Sequence, residues 1–370
     1  MPYGIVNTDT VRDSNGGILA PISSVFRNRI INGSMVIDQR GSASTPVQTG
    51  YATDRWAIVA VIGGKFNLGQ STTSPDGFKN SLLATSLTSY ILGSNDTYAI
   101  RQAIEGFNVA DLGWGTANAK IVTVSFWVRS SLTGTFGGAL TNGAGNRSYT
   151  FNYTINSANT WEYKTVTIAG DTTGTWLTDN SAGIELRIGL GSTGIYTQTA
   201  GSWGTANAVQ PAGCVSVVGT NGATFYITGV QLEVGSSATG FEYRQYTTEV
   251  QLCQRYFQKT YNMGTKPGAT GGYAAGIYAG AIYNVKGTTA GVNDVNITWQ
   301  YKTSMRANPT ITFYSPATGT AGNFTAGSVD NTASINGPII GENNSLGYGT
   351  ASAGGSANDC YFHMTASSEL

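Results

Sequence analysis

Charged side chains are scarce in this 370-residue chain. Asp, Glu, Lys and Arg make up 11% of the residues, against roughly 25% in an average soluble protein. The 20 basic and 20 acidic residues cancel. A free monomer with so little charge is weakly protected against association. We therefore expect a surface rich in Ser, Thr, Asn and Gly that is buried in a dense assembly or meets uncharged polar partners such as sugars. The alternative is that Thr- and Asn-rich β-proteins commonly have this composition.

Other absences exclude whole classes of partner. Basic runs are missing, which argues against a nucleic-acid partner. The longest apolar run, residues 56–62, is far shorter than the roughly 20 residues of a membrane-crossing helix, so we expect no membrane insertion. Cys214, Cys253 and Cys360 are far apart and show no C-x-x-C spacing. They are predicted to be reduced core residues of a protein made in a cytoplasm.

Residues for catalysis or metal binding are equally sparse. His363 is the only histidine, and its alternating strand pattern favours a structural role. Residues 189–194 match G-x-G-x-x-G, but a β-like segment follows where a dinucleotide site needs a helix. We therefore expect no catalytic residue, no cofactor and no metal. The alternative for a metal is a structural Ca²⁺ bound with the help of Asp171, Asp179 or Glu233, although no EF-hand-like spacing marks such a site. A glycosidase would need two of the available carboxylates at a fixed separation. The candidates are Glu162, Asp171, Asp179, Glu185, Glu233 and Glu242.

The chain does contain many short β-strand patterns. In residues 121–129 (IVTVSFWVR), Val, Val, Phe and Val alternate with Ile, Thr, Ser, Trp and Arg, and the wholly apolar set is the expected core face. Residues 98–104, 149–155, 161–168 and 184–188 show further strand patterns, with Gly/Asn/Asp/Thr turn clusters between the strands. The fold class is therefore predicted to be all-β, with a β-sandwich or jelly roll over residues 27–246.

One short helix and a second β-domain follow the predicted jelly roll. Residues 225–234 (FYITGVQLEV) form a strand pattern in which strict alternation divides the residues between two faces. One face would carry Phe225, Ile227, Gly229, Gln231 and Glu233, and the other Tyr226, Thr228, Val230, Leu232 and Val234. A linking helix is predicted over residues 247–258, capped by Thr247 or Thr248, with Val250, Cys253 and Phe257 on one stripe. A smaller β-sandwich domain is predicted over residues 259–370.

The N-terminal residues 1–26 are predicted to form an extended arm. They show no clear period but keep several apolar side chains. The arm either orders against a neighbouring subunit or is a floppy terminus. The apolar residues that would carry the assembly contact are Ile5, Val6, Ile18, Leu19, Ile22 and Phe26.

The hexapeptide WGTANA occurs twice, at residues 114–119 and 203–208. The two copies are predicted to be similar loops at one end of the sandwich. Exposed indoles provide stacking platforms for the apolar faces of sugars, which makes Trp114 and Trp203 possible glycan-stacking residues. The competing and favoured interpretation is that each indole anchors its loop to the core.

Four segments together resemble the structural proteins of tailed-bacteriophage virions. These are residues 28–33 (NRIING) with 35–41 (MVIDQRG), residues 54–56 (DRW), residues 225–234 with 241–244 (FEYR) and 252–257 (LCQRYF), and residues 362–370 (FHMTASSEL). The first of them looks like the opening strand of the phage domains, and the last is similar to a closing strand of their C-terminal domains. The resemblance implies a jelly roll similar to carbohydrate-binding modules, in a tail fibre, a head fibre or a capsid decoration protein.

Among these roles, capsid decoration is favoured because the chain lacks the heptads or extended repeats of a fibre stalk. Such a cement protein would lie on the virion surface as a homo-oligomer, with a trimer suiting threefold positions, and would contact the major capsid protein. The first alternative is a receptor-binding fibre that adheres to a host surface glycan. The second is a polysaccharide depolymerase.

Overall fold

The computed structural model describes residues 10–12, 18–21, 26–270, 279–285, 294–326, 329–332, 334–350 and 359–370. Within them the fold is all-β, as predicted, with one α-helix, α1 (Tyr246–Gln254). No described helix is long and apolar enough to cross a membrane.

The strands are numbered in chain order. The first thirteen precede α1 and are β1 (Thr10–Arg12), β2 (Ile18–Pro21), β3 (Ala57–Ala60), β4 (Phe66–Ser71), β5 (Ser81–Ser86), β6 (Thr97–Glu105), β7 (Val122–Ser130), β8 (Gly134–Asn142), β9 (Ser148–Ile155), β10 (Glu162–Ile168), β11 (Ala182–Ser192), β12 (Trp203–Gly204) and β13 (Thr224–Val234). The others follow α1 and are β14 (Phe257–Lys259), β15 (Ile282–Val285), β16 (Asp294–Gln300), β17 (Thr310–Tyr314), β18 (Asn323–Ala326), β19 (Val329–Thr332), β20 (Ser334–Ile340), β21 (Asn344–Thr350) and β22 (Asp359–Ser367).

Two antiparallel sheets form the predicted jelly-roll sandwich. The five-stranded sheet has the order β10-β7-β13-β5-β4, and the six-stranded sheet has the order β12-β9-β8-β11-β6-β3. Val124, Phe126 and Val128 of β7 are buried between the sheets, as the alternating pattern predicted. The intervening residues of β7 therefore face outwards, and among them Trp127 is half-buried on the outer face of the five-stranded sheet.

The strict alternation predicted for β13 is wrong beyond Thr228. Thr228 pairs with Trp127 and Gln231 pairs with Ser125, so two residues of β13 lie opposite one residue of β7. Gly229 takes the left-handed φ of +61° that such a bulge requires. As a result Val230 joins Phe225, Ile227 and Leu232 in the core, while Gln231 and Glu233 turn outwards.

The linking helix is shorter than predicted. It begins after Gln245, which makes no side-chain capping bond, and ends at Gln254, so neither predicted threonine is the cap. Phe257 is not helical, because residues 257–259 pair with the C-terminal strand β22. Cys253 is buried among Ile37 and Tyr256, and burial raises the pKa of its thiol. The domain boundaries at residues 26, 246 and 258 stay predictions.

Residues 28–33 do not form the opening strand that the resemblance implied. They run beside β13 through the bonds Arg29 N to Leu232 O and Val230 N to Gly33 O, but remain outside the sheet ladder. The side chain of Asn28 explains this, since its Oδ1 accepts the N–H groups of Ile30 and Leu232. Side-chain bonds thereby replace part of a regular ladder.

Residues 54–56 lie where the jelly roll meets the C-terminal sheets. Asp54, Arg55 and Trp56 are all fully buried. The Asp54 carboxyl accepts the backbone N–H of Gln39 at 2.6 Å and its Nε2–H at 2.7 Å. Arg55 forms an ion pair with Glu369 of the C-terminal segment. These contacts join the two β-regions through polar groups withdrawn from water.

In the C-terminal region, β22 is the central strand and pairs with β14, β15, β17 and β18. A second sheet, β16-β21-β20, contributes Trp299 to the core that contains Phe313 and Phe362. His363 on β22 is buried. Its ring stacks on Tyr261 with centroids 3.6 Å apart, and its Nδ1 lies 2.9 Å from Thr260 Oγ1. This environment supports the structural role predicted for His363.

The predicted arm contains a small hairpin, since β1 pairs with β2 in a separate two-stranded sheet. Ile18 and Leu19 lie on β2. Ile5, Val6 and Ile22 lie outside the described residues. Phe26 is 52% exposed and has a φ of +66°. The assembly role of these six residues stays a prediction.

Asp54 predicts a pH dependence of stability. Burial raises the pKa of its carboxyl from 3.8 to about 6. Between pH 4 and 6 the unfolded chain loses this proton while the folded protein keeps it. The free energy of unfolding should therefore fall as the pH rises through this range, by up to roughly 3 kcal/mol. Urea unfolding at pH 4, 5 and 6 measures the slope.

Asp54→Asn should flatten that slope, because the amide does not titrate. Asp111→Asn is the matched control, since Asp111 is paired with Arg29 but 45% exposed. An unchanged slope in Asp54→Asn would contradict the assignment to Asp54.

Candidate functional site

An open groove of about 420 Å³ lies on the outer face of the five-stranded sheet. Strands β7 and β10 contribute one side, and the return segment after β13, residues 235–245, contributes the other. The lining residues are Phe78, Trp127, Tyr163, Gly229, Ala238, Thr239, Gly240, Phe241 and Tyr243. Five of these nine are aromatic and none is charged, so the groove offers ring faces and uncharged backbone groups.

Aromatic contacts organise both walls of the groove. On one side Trp127 and Tyr163 are cross-strand partners whose ring centroids are 5.4 Å apart. On the other side Phe78, Phe241 and Tyr243 form a three-ring cluster with centroids 4.9–5.5 Å apart. Such mutual packing limits the rotamers of each ring and holds the rings of each wall in place.

Gly229 is the floor between these two walls. A Cβ built on it would lie 2.7 Å from Cζ of Phe78 and 3.1 Å from Cδ1 of Trp127. Only glycine therefore lets rings from both walls approach the backbone of β13. The bulge that directs Val230 into the core also creates this floor.

The return segment is held in place by two carboxylates. Glu233 accepts the backbone N–H of Thr239 at 2.8 Å and its hydroxyl at 2.7 Å. Glu242 accepts the backbone N–H groups of Arg27 and Asn28 at 3.1 and 2.9 Å. Phe241 is thus positioned by bonds on both sides of it.

The groove rings remain accessible. Tyr163 is 42% exposed and Tyr243 is 61% exposed, while Trp127 is half-buried. Flat apolar faces that stay in contact with water are suited to stacking on the apolar faces of sugar rings. The arrangement provides shape and stacking rather than charge.

The structure brings Trp114 and Trp203 together elsewhere, with Trp176 and Tyr149. The three indole centroids are 4.7–5.3 Å apart in edge-to-face contacts. Trp114 is only 7% exposed and donates its indole N–H to Lys120 O, while Trp203 donates to Ala169 O. This packing supports the anchoring interpretation, and glycan stacking at Trp114 and Trp203 stays a prediction. The repeated hexapeptide thus supplies two members of one cluster.

The candidate carboxylates are dispersed and each is bonded. Asp171 receives the Nε–H and an Nη2–H of Arg147 at 2.7 and 2.8 Å. Glu185 is paired with Arg101 and Arg187. The others are bonded to neighbouring donors: Glu162 to Lys164, Asp179 to Ser181 N, Glu233 to Thr239, and Glu242 to Arg27 N. Within the described ranges, no group of three His, Cys, Asp or Glu residues could hold a metal ion.

Part of the groove was readable in the sequence. The alternation of residues 121–129 places Trp127 on the polar face with Thr123 and Ser125, and a tryptophan on a polar face is a signal of a binding surface. Nothing in the sequence indicated that Phe78 would meet Phe241, because 163 positions separate them (241 − 78).

The sequence matches no protein-family model and no curated protein. Solved structures resemble its fold. The enzymatically active domain of tailspike protein 4 from bacteriophage CBA120 has 13% identity and a TM-score of 0.34. The match covers 57% of this chain and 22% of the tailspike chain. TmCBM61, in complex with β-1,4-galactotriose, has 9% identity and a TM-score of 0.29. The match covers 56% of this chain and 99% of the TmCBM61 chain. The family 11 carbohydrate-binding module from Clostridium thermocellum has 12% identity and a TM-score of 0.26. The match covers 51% of this chain and 91% of that module. These values say nothing about what this chain binds.

Gly229→Ala tests the floor of the groove. Gly222→Ala is the matched control, because Gly222 has a similar φ of +72° but nothing within 4 Å of an added Cβ. The control should lose roughly 1 kcal/mol of unfolding free energy from backbone strain alone. Gly229→Ala should lose roughly 2–4 kcal/mol, since its Cβ also displaces Phe78 and Trp127. Equal losses in urea unfolding would show that the two rings do not depend on this glycine.

Proposed function

We propose that the protein binds an uncharged stretch of polysaccharide in the aromatic groove, as a structural component of a phage particle. The observation that carries this proposal is the open groove with five aromatic residues and no charged one among its lining residues. Its volume of about 420 Å³ lies within the roughly 300–1,000 Å³ typical of ligand pockets.

The groove is pre-organised for such a ligand. Trp127 and Tyr163 stand on paired strands, and the opposite wall is held by the bonds of Glu233 and Glu242. Binding therefore needs little further ordering of the protein, which preserves affinity for a flexible sugar chain. The two walls present rings at a fixed separation to both sides of an extended ligand.

Trp127→Ala should weaken polysaccharide binding by about tenfold or more, which corresponds to about 1.4 kcal/mol. The matched control is Trp203→Ala, which removes an indole from the remote tryptophan cluster. It should lower thermal stability without changing the dissociation constant. Affinity electrophoresis and titration calorimetry against a panel of bacterial surface polysaccharides measure both effects.

Equal binding by wild type and Trp127→Ala would contradict the groove proposal. Loss of binding only in Trp203→Ala would move the site to the tryptophan cluster.

The phage setting rests on the sequence resemblance of residues 28–41, 54–56, 225–257 and 362–370, and implies a place on the virion surface. Binding without catalysis is favoured because the groove lining contains no carboxylate, whereas glycoside hydrolysis in most families uses a flanking pair. A receptor-binding role, in which the particle adheres to host polysaccharide, fits the groove directly.

Capsid decoration is a second candidate, supported by the N-terminal hairpin. Among the described strands β1 and β2 pair only with each other. An isolated two-stranded hairpin is marginally stable in water. It would gain stability against a neighbouring subunit, in a trimer or on the major capsid protein, which is the contact that a cement protein needs.

Deleting residues 1–26 separates the two candidates. For a cement protein, the truncated chain should lose most of its affinity for empty shells of its phage while keeping polysaccharide binding. Trp127→Ala should lose polysaccharide binding while keeping its affinity for the shells. Co-sedimentation with shells and with polysaccharide measures both, and undiminished shell binding by the truncated chain would refute the arm's role.

A further inference from the structure

A second aromatic row lies beside the groove on the same sheet face. Tyr226 of β13 is the cross-strand partner of Arg129 of β7. Trp161 immediately precedes Glu162, whose partner is Val128, so it lies next to Arg129 on the other side. Trp161 and Tyr226 also touch, with ring centroids 6.1 Å apart.

This row is in register with the groove. Arg129 is two residues from Trp127 along β7, so both side chains face outwards and lie about 7 Å apart along the strand. Tyr163 of β10 and Trp161, which directly precedes that strand, are likewise two residues apart. A chain molecule in the groove that runs along these strands therefore reaches the second row with its next unit.

Arg129 places a cation in this second row. Its guanidinium lies over the Tyr226 ring at 5.2 Å, and its Nε–H donates to Asn159 O at 2.9 Å. It forms no ion pair within the described part of the chain, whereas Arg101, Arg147, Arg187 and Arg255 are all paired with carboxylates. The bond to Asn159 orients the guanidinium and leaves the two terminal nitrogens available as donors.

We infer that Arg129, Trp161 and Tyr226 form a second subsite that holds a carboxylate-bearing sugar, a hexuronate, next to the uncharged unit in the groove. The inference rests on the proposed function. A guanidinium end with two parallel N–H donors matches a planar carboxylate. The flanking rings exclude water from one side of the contact and stack on the sugar. The preferred ligand is then an acidic polysaccharide in which neutral and hexuronate units are adjacent.

The test compares hexuronate-containing bacterial exopolysaccharides with the same polymers after chemical reduction of their carboxyl groups to neutral hexoses. The wild-type protein should bind the acidic form at least about tenfold more tightly. Added NaCl should reduce the difference in affinity between the acidic and the reduced polymer. Salt screens the exposed pair of the Arg129 guanidinium and the sugar carboxylate, but it does not screen stacking. Calorimetric dissociation constants at low and high salt give both quantities.

Arg129→Gln should lower the affinity for the acidic polymer until it equals the affinity for the reduced polymer. The affinity for the reduced polymer should not change. Arg129→Lys should keep part of the preference, because the charge remains while the two parallel donors are lost. Lys65→Gln is the matched control, since Lys65 also lies over a tyrosine ring, that of Tyr90 at 4.3 Å, outside the groove. It removes the same charge and should change neither affinity.

Three outcomes overturn the inference. The first is equal wild-type affinity for both forms, and the second is an Arg129→Gln variant that weakens both forms alike. In both cases binding of the reduced polymer persists, so the proposed function stands. The third is a wild-type protein that binds neither form, which refutes the proposed function and the second subsite together.

Discussion

The bulge at Gly229 is the feature on which the rest of the binding face depends. By placing two residues of β13 opposite one residue of β7, it returns Val230 and Leu232 to the core and turns Gln231 and Glu233 outwards. Those two polar side chains then bind the return segment: Glu242 N donates to Gln231 Oε1 at 2.9 Å, and Glu233 accepts from residue 239. One backbone irregularity thus produces both a floor and a wall of the groove.

Most of the charged side chains whose burial the structure describes are buried or half-buried. Glu105 is 1% exposed and receives Arg255 at 2.8 and 2.5 Å. Glu185 is similarly enclosed between Arg101 and Arg187. Because removing one member of a buried pair is costly, such pairs restrict the arrangement of neighbouring segments. Arg129 differs from the arginines of these pairs because it has no carboxylate partner among the described residues and donates instead to Asn159 O.

Much of the architecture was predictable from local patterns. The apolar face of residues 121–129, the strand at residues 149–155 and the approximate position of the α-helix α1 follow from period and turn chemistry, which act over a few residues. The same local rules failed at the bulge of β13 and at Phe257. In both places a partner strand distant in the sequence determined the backbone, and no local propensity records which strand that is.

The sequence by itself determined an all-β chain with sparse charge, a tryptophan on the polar side of β7 and a glycine within β13. Tertiary structure decided that Phe78 and Phe241 meet in one wall of the groove, that Trp114 and Trp203 pack against each other, and that Arg129 lies two residues along β7 from Trp127. The physical reason is that each of these contacts depends on strand order and register between segments far apart in the chain. Side-chain alternation specifies which face a residue occupies, but not which residues it will face.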